Sequence, residues 1–380
     1  MCPLKKKGIA AEKPNRGGMD ITFFVLTVTL LGVGLIMLFS ASYAYALYYY
    51  DDSFHFIKSQ LAFAVIGLAG MILVSYVDYH ILHRFALPLY ILSIAMLVWA
   101  LFSEPVNDAH RWVWIAGRQF QPSELAKFAI ILIFAHLVSL NSTEMGTFKK
   151  GVLPFALFLL PVVGLVALEP HLSGTILIIL MAFVMMFIGG TKFRWFMLAG
   201  GSVGGLGAAY ILFSGKVDYA MSRINIWLDP FSDPSDKGHQ TLQSLYAIGS
   251  GGLLGQGLGN SRQKYLYVPE PQNDFIFSIV CEELGFIGAS LIIIIYVLFV
   301  WRGFVIAMRA RDKFGAMMVI GLSAQIGIQT LLNIAVVTNT IPNTGISLPF
   351  FSSGGSSLVM LLLQMGVILS VSRYSVYEKS

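Results

Sequence analysis

The sequence predicts an all-α integral membrane protein of about ten transmembrane helices. Three observations carry that prediction. The 380-residue chain is 56% hydrophobic and only 12% charged, more apolar surface than a water-soluble domain can hide. Apolar runs of span length, about 20 residues, recur along it. Its basic residues gather on one side of those runs.

The runs, in order, are 21–42, 59–76, 85–103, 125–140, 151–168, 172–191, 195–215, 275–301, 314–338 and 358–372. The run 125–140 is short and carries Lys127, and 275–301 is long and carries Glu282 and Glu283. The last span starts upstream of Leu358, near Gly354. With the N-terminus in the cytoplasm, sixteen Lys and Arg fall on inner segments. Only Lys58, Arg111 and Arg118 fall on short outer loops. That asymmetry predicts an N-in, C-in chain, and an even number of spans agrees.

The expected organisation is a basic cytoplasmic tail (1–19), one polytopic membrane domain (20–374) and a short cytoplasmic tail (375–380). A large extracytoplasmic loop at about 216–274 separates the seventh and eighth spans. The first apolar run has span length and no small-residue cleavage pattern, so no cleavable signal peptide is expected. Cys2 and Cys281 fall at a cytoplasmic terminus and within a span, so no disulfide is expected. The net charge of +5 is accounted for by topology. No basic stripe interleaved with aromatics points to nucleic acid.

In this topology 14 of the 20 acidic residues fall outside or in the outer halves of spans. The orientation rule does not require that, because acidic residues contribute little to it. Polar chemistry therefore concentrates at the outer face, in three places.

The first is Pro269 to Gly288, PEPQNDFIFSIVCEELGFIG. A carboxylate at the bilayer centre costs roughly 2.5–3.5 kcal/mol, so Asp274, Glu282 and Glu283 need partners or a task. Asp274 lies where a helix begins, and the residues alone leave two roles open: helix cap or catalyst. On a wheel continued from Asp274, Glu282 lies about 80° away and Glu283 on the opposite face. Glu282 is then expected to share a cavity with Asp274, and Glu283 to pair with another helix.

The second place is Arg111-Trp112-Val113-Trp114 followed by Gln121-Pro122-Ser123-Glu124-Leu125-Ala126-Lys127. Pro122 suits a first helical turn. Glu124 and Lys127, three apart, share a face and can pair, as a structural ion pair or in a functional cavity. Trp112 and Trp114 are candidates for substrate contact, although membrane tryptophans most often anchor at the interface.

The third is 343–357, NTGISLPFFSSGGSS. Its glycines, serines and proline predict irregular backbone at membrane depth, tolerated only under protein or in a watery cavity. The glycine-rich run 249–259 lacks the Gly-Lys-Ser/Thr ending of a phosphate loop. His110, His136, His171 and His239 show no metal-ligand spacing. Glu169-Pro170-His171 is a weak signal for a cation or sugar contact.

Together and in this order, HRWVWIAGRQFQPSELAKF, QSLYAIGSGGLLGQGLGNSRQKYLYVPEPQNDFIFSIVCEELGFIG and NTGISLPFFSSGGSSL resemble the SEDS family (FtsW/RodA/SpoVE; shape, elongation, division and sporulation). The similarity runs from about Asp20 to Tyr374 and is closer to the division and sporulation branches than to the elongation branch. The resemblance implies ten transmembrane helices and a large outer loop between the seventh and eighth. It implies peptidoglycan glycosyltransferase activity on lipid II, and as partners a class B penicillin-binding protein and other membrane proteins of the division machinery. It puts the essential aspartate on Asp274 and the intramembrane Glu/Lys pair on Glu124 and Lys127. The family usually has Thr at Asn273 and Tyr at Ser353, so no binding role is carried to Ser353.

The expected chemistry is an inverting transfer with Asp274 as general base. Arg111, Trp112, Gln121, Ser123, Glu124, Lys127, Arg262, Lys264 and Glu282 are the candidate substrate-binding residues. Of these, Arg111, Lys127, Arg262 and Lys264 are candidates to stabilise a pyrophosphate leaving group, and a divalent cation could share that work. Lys127 could equally hold Asp274 ionised. The alternatives are a lipid II flippase, which needs polar groups through the inner half of the membrane, and a non-catalytic scaffold, which needs neither Asp274 nor Lys127.

Overall fold

In hydrocarbon every backbone N–H and C=O must bond within the chain, so apolar runs of span length become helices. The computed structural model describes residues 17–104, 110–115, 117–169, 172–201, 225, 227–232 and 238–375. Residues 1–16 of the predicted tail, residues 202–215 of the predicted seventh span, His171, Asp108, Asp218, Asp233 and Asp236 lie outside the described residues. Among the described residues eight helices are long and apolar enough to cross a membrane. They are α1 (Ile21–Tyr50), α2 (His55–Tyr76), α3 (His80–Leu101), α4 (Pro122–Asn141), the stretch Phe148–Leu168 formed by α5 (Phe148–Gly151) and α6 (Leu153–Leu168), α9 (Ile276–Met308), α10 (Lys313–Val337) and α11 (Gly355–Arg373). The apolar α7 (Leu172–Ile188) is shorter, and α8 (His239–Gly251) is polar and lies within the predicted outer loop.

Among the described residues helices form on the predicted apolar runs, and several extend beyond them. The apolar run ending at Ser42 continues as helix to Tyr50, where Asp51 turns left-handed (φ 53°) and its N–H bonds Leu47 O. Helices persist beyond the hydrocarbon until a cap stops them. The N-terminus of α1 is capped by Asp20, whose Oδ1 accepts from Phe23 N at 2.9 Å. The same carboxylate pairs with Arg302 near the end of α9 at 2.7 Å.

The short, Lys127-bearing α4 occupies the centre of the bundle, against α3, α6, α7 and α10. Ala126 and Ala129 to Ala135 on it are all buried. Helices α2 and α11 make the most extensive helix–helix contact among the described elements. A hairpin interrupts the all-helical plan just before α4: β1 (Val113–Ile115) pairs antiparallel with β2 (Arg118–Phe120), Trp114 opposite Gln119.

Helix α9 is broken. Gly285 sits at φ 67°, ψ −172°, a conformation essentially only glycine adopts. Residues 252–257 fill the break. Gln256 N and Gly257 N donate to Glu282 O and Glu283 O, both at 3.0 Å, while Phe286 N and Ile287 N donate to Gly252 O and Leu253 O. A Cβ on Gly285 would lie 2.2 Å from Gly255 N. The glycine-rich run therefore serves close backbone approach, which satisfies the amides and carbonyls that the break exposes.

Candidate active site

A cavity of about 850 Å³ opens at the end of the bundle where α1 meets α2 and where α4, α9 and α11 begin. That lies within the range of ligand pockets. Asp274, Arg111, Trp112, Trp114, Gln121, Glu124 and Lys127 all line it. Segments 111–127, 270–274 and 345–358, spread over more than 200 residues of sequence, thus meet at one cavity. The sequence reading missed Arg118, Glu270, Gln325 and Gln329, which also line it.

Asp274 does not cap a helix. The first residue of α9 is Ile276, its N-cap is Phe275, and no side chain caps it. Among the described residues the Asp274 carboxylate makes no hydrogen bond, while its backbone is firmly held. Asn333 Nδ2 donates to Asp274 O at 2.7 Å and to Ile346 O at 2.6 Å. Ser352 Oγ donates to Asn273 O at 2.8 Å, and Ser353 N donates to Gln272 O at 2.8 Å. The irregular loop expected at 343–357 is thereby stitched to the Asp274 loop. Gly345 (φ +69°) keeps the space beside the acid open, since a Cβ there would lie 3.1 Å from Asp274 Oδ2.

Burial pushes the Asp274 carboxyl up to about 6; the Arg111 guanidinium pulls it down and the Glu270 carboxylate adds to the rise. A carboxylate poised there is ionised at neutral pH yet more basic than an ordinary aspartate, as a general base requires.

Lys127 Nζ pairs with Glu124 Oε1 at 2.7 Å, almost fully buried. Arg118 lies on the Phe63 ring, 5.4 Å from its centroid. Arg111 Nε, Gln272 Oε1 and Gln325 Oε1 are buried without a hydrogen-bond partner among the described residues. Unpaired polar atoms on a cavity wall suit a polar ligand.

Four expectations fail on geometry. Glu282 does not share the cavity: it is buried, accepts from Ser261 Oγ, and accepts from Arg262 N at 3.0 Å. Arg262 is exposed and not among the lining residues. Lys264 is buried against Glu283 at 3.0 Å, and Glu283 also accepts from Ser40 Oγ of α1 at 2.7 Å. Glu283 thus pairs with another helix, as expected, and takes the predicted cation Lys264 with it. Ser123 is buried but does not line the cavity. The wheel failed for Glu282 because Asp274 lies before the helix, so the two share no helical phase.

Glu169 is fully buried, and burial pushes its carboxyl up to about 8. Its two carboxyl oxygens have no hydrogen-bond partner among the described residues. Among the described residues no three His, Cys, Asp or Glu gather to hold a metal.

The bundle and its chamber define a multi-pass membrane protein with polar chemistry at one end. Residues 21–377 match the FtsW/RodA/SpoVE family, described as cell cycle proteins, and the chain belongs to that family. It is 40% identical over 361 residues to stage V sporulation protein E of Bacillus subtilis (strain 168), covering 94% of this chain and 98% of that one. It is 37% identical over 358 residues to a probable peptidoglycan glycosyltransferase FtsW of Geobacter sp. (strain M18), covering 93% and 97%. Its structure superposes on RodA of Thermus thermophilus with TM-score 0.69 and 26% identity, over 95% and 98% of the two chains. A chain from a peptidoglycan synthase complex that coordinates polymerization and crosslinking superposes with TM-score 0.80 and 28% identity, over 93% and 98%. The protein resides in the bacterial cytoplasmic membrane.

Proposed function

We propose that this protein is a peptidoglycan glycosyltransferase that polymerises lipid II at the outer face of the cytoplasmic membrane. One observation carries the catalytic assignment: an uncapped Asp274 carboxylate, poised near pH 6, in a chamber lined by Arg111 and Lys127. Asp274 takes the proton from the 4-hydroxyl of the acceptor N-acetylglucosamine. That oxygen bonds C1 of the donor N-acetylmuramic acid as the C1–O bond to pyrophosphate breaks. An α-linked donor becomes a β-1,4 product, so one base suffices and no covalent intermediate forms. Arg111 and Lys127 stabilise charge on the departing undecaprenyl pyrophosphate, while Trp112, Gln121 and Glu124 line the substrate's place.

The N-in, C-in topology, with the chamber outside and the large loop at about 216–274, belongs to this reading. So does a class B penicillin-binding partner, a proposal supported by the structural relative from a complex that also crosslinks. Other division proteins are further expected partners. Transit of a lipid headgroup is less well served: the turns of α4 that follow Lys127, Ala129 to Ala135, are apolar and buried. Purified protein with its penicillin-binding partner should convert lipid II to glycan. Headgroup flipping in liposomes without glycan formation would instead establish the flippase.

Polymerisation should rise with pH along an acidic limb centred near 6, because Asp274 must lose its proton. Arg111→Gln should move that midpoint upward, since the guanidinium pulls the acid down. The midpoint, rather than the plateau rate, is the quantity to compare, because Arg111 also meets the leaving group. A midpoint unchanged by Arg111→Gln would assign the limb to another group.

A further inference from the structure

We propose that the aromatic corner where α1 meets α2 is a sugar-stacking platform that grips the growing glycan strand beyond Asp274; this rests on the glycosyltransferase reading. The chain concentrates five tyrosines at the end of α1, at positions 43, 45, 48, 49 and 50, and follows them with His55 and Phe56. An interfacial anchor would explain aromatics here if they faced lipid. The structure divides them. Tyr45, Tyr50, His55 and Phe56 line the cavity, whereas Tyr43, Tyr48 and Tyr49 do not.

The lining rings form one wall. Tyr50 and His55 stack with centroids 4.0 Å apart and planes 9° apart. Phe56 stands edge-on to Tyr50 at 5.6 Å and lies 6.1 Å from Tyr45. Tyr50 remains 50% exposed. Trp112 and Trp114 line the same cavity from the hairpin.

Charge is divided in the same way. Arg111, Arg118 and Lys127 lie on the hairpin and α4. Lys58, the one Lys or Arg of α2, is tied to Asp52 at 2.8 Å and does not line the cavity. A pyrophosphate belongs at the cationic side. The aromatic side suits the uncharged portion of the polymer: a pyranose ring presents a face of C–H bonds, and an aromatic face is its electrostatic complement. Flat rings make few directional demands, so a strand held this way can advance by a disaccharide without release.

The test uses the full chain with its penicillin-binding partner and lipid II, and reads both initial rate and strand-length distribution. Tyr50→Leu keeps apolar bulk and removes the flat face; Tyr50→Phe keeps the face and removes the hydroxyl. Tyr50→Leu should shorten strands several-fold, out of proportion to any fall in initial rate. Tyr50→Phe and the off-cavity control Tyr48→Leu should retain wild-type length. Wild-type length from Tyr50→Leu, or equal shortening from Tyr50→Phe or Tyr48→Leu, overturns the platform. An inactive wild type would instead count against the glycosyltransferase reading. Tyr50→Trp gives a reading independent of turnover. Lipid-free oligosaccharide of alternating N-acetylglucosamine and N-acetylmuramic acid should shift its tryptophan emission beyond any change in the wild type, and no such shift overturns the proposal.

Discussion

Asp274→Asn is expected to abolish lipid II polymerisation, a loss of at least 10²–10⁴-fold, the usual contribution of a positioned general base. The substitution preserves size and removes only the proton acceptor. The backbone bonds from Asn333 and Ser352 that hold residues 273 and 274 do not involve that carboxylate. The variant should therefore fold and bind its partner.

It should even gain stability. With its folded value at about 6 against an ordinary 3.8, the acid binds its proton more tightly in the folded state. Its contribution is fully present below pH 3.8 and is lost as pH rises through 6. Ionising Asp274 at pH 7 thus costs about 2–3 kcal/mol, and Asp274→Asn escapes that cost. The gap in melting temperature between variant and wild type should widen from pH 4 to pH 7. Polymerisation by a well-folded Asp274→Asn variant at the wild-type rate would refute the base assignment.

The largest loss of stability is expected from Lys264→Met, about 3–5 kcal/mol, because it strands the Glu283 carboxylate in the interior. Glu283 would keep Ser40 Oγ but lose its only ion pair among the described residues. Adding Glu283→Leu should restore much of the stability, since apolar replacement of both partners removes the stranded charge. Lys127→Met should behave differently. Its partner Glu124 lines the chamber and can be hydrated there, so that variant should lose activity with a smaller loss of stability. Denaturant unfolding in detergent separates the cases. A Lys264→Met variant within about 1 kcal/mol of wild type would show that the buried pair is not a structural clamp.

Much of this protein was legible in its sequence for local reasons. A run of about 20 apolar residues becomes a spanning helix whatever surrounds it. Residues three apart on a helix are neighbours, so the Glu124–Lys127 pair followed from spacing. Asp274 stood out as an acid at the mouth of an apolar run, and the resemblance singled it out further.

The tertiary structure decided the rest, because it depended on which distant groups meet. Spacing does not bring Ser40 to Glu283, 243 positions apart. Nor does it show that Lys264 neutralises a buried glutamate instead of facing substrate. It does not show that Glu282 fastens residues 261–263 while Asn333 holds Asp274. The helical wheel assumed one regular helix through Asp274, whereas α9 begins after it and breaks at Gly285, against a glycine loop. The five tyrosines of α1 are alike as residue types, and only packing distinguishes those that line the chamber. The sequence by itself determined the helices and the acid, since both follow from local composition and spacing; the partners of every buried charge beyond one helical turn came from the packing of the bundle.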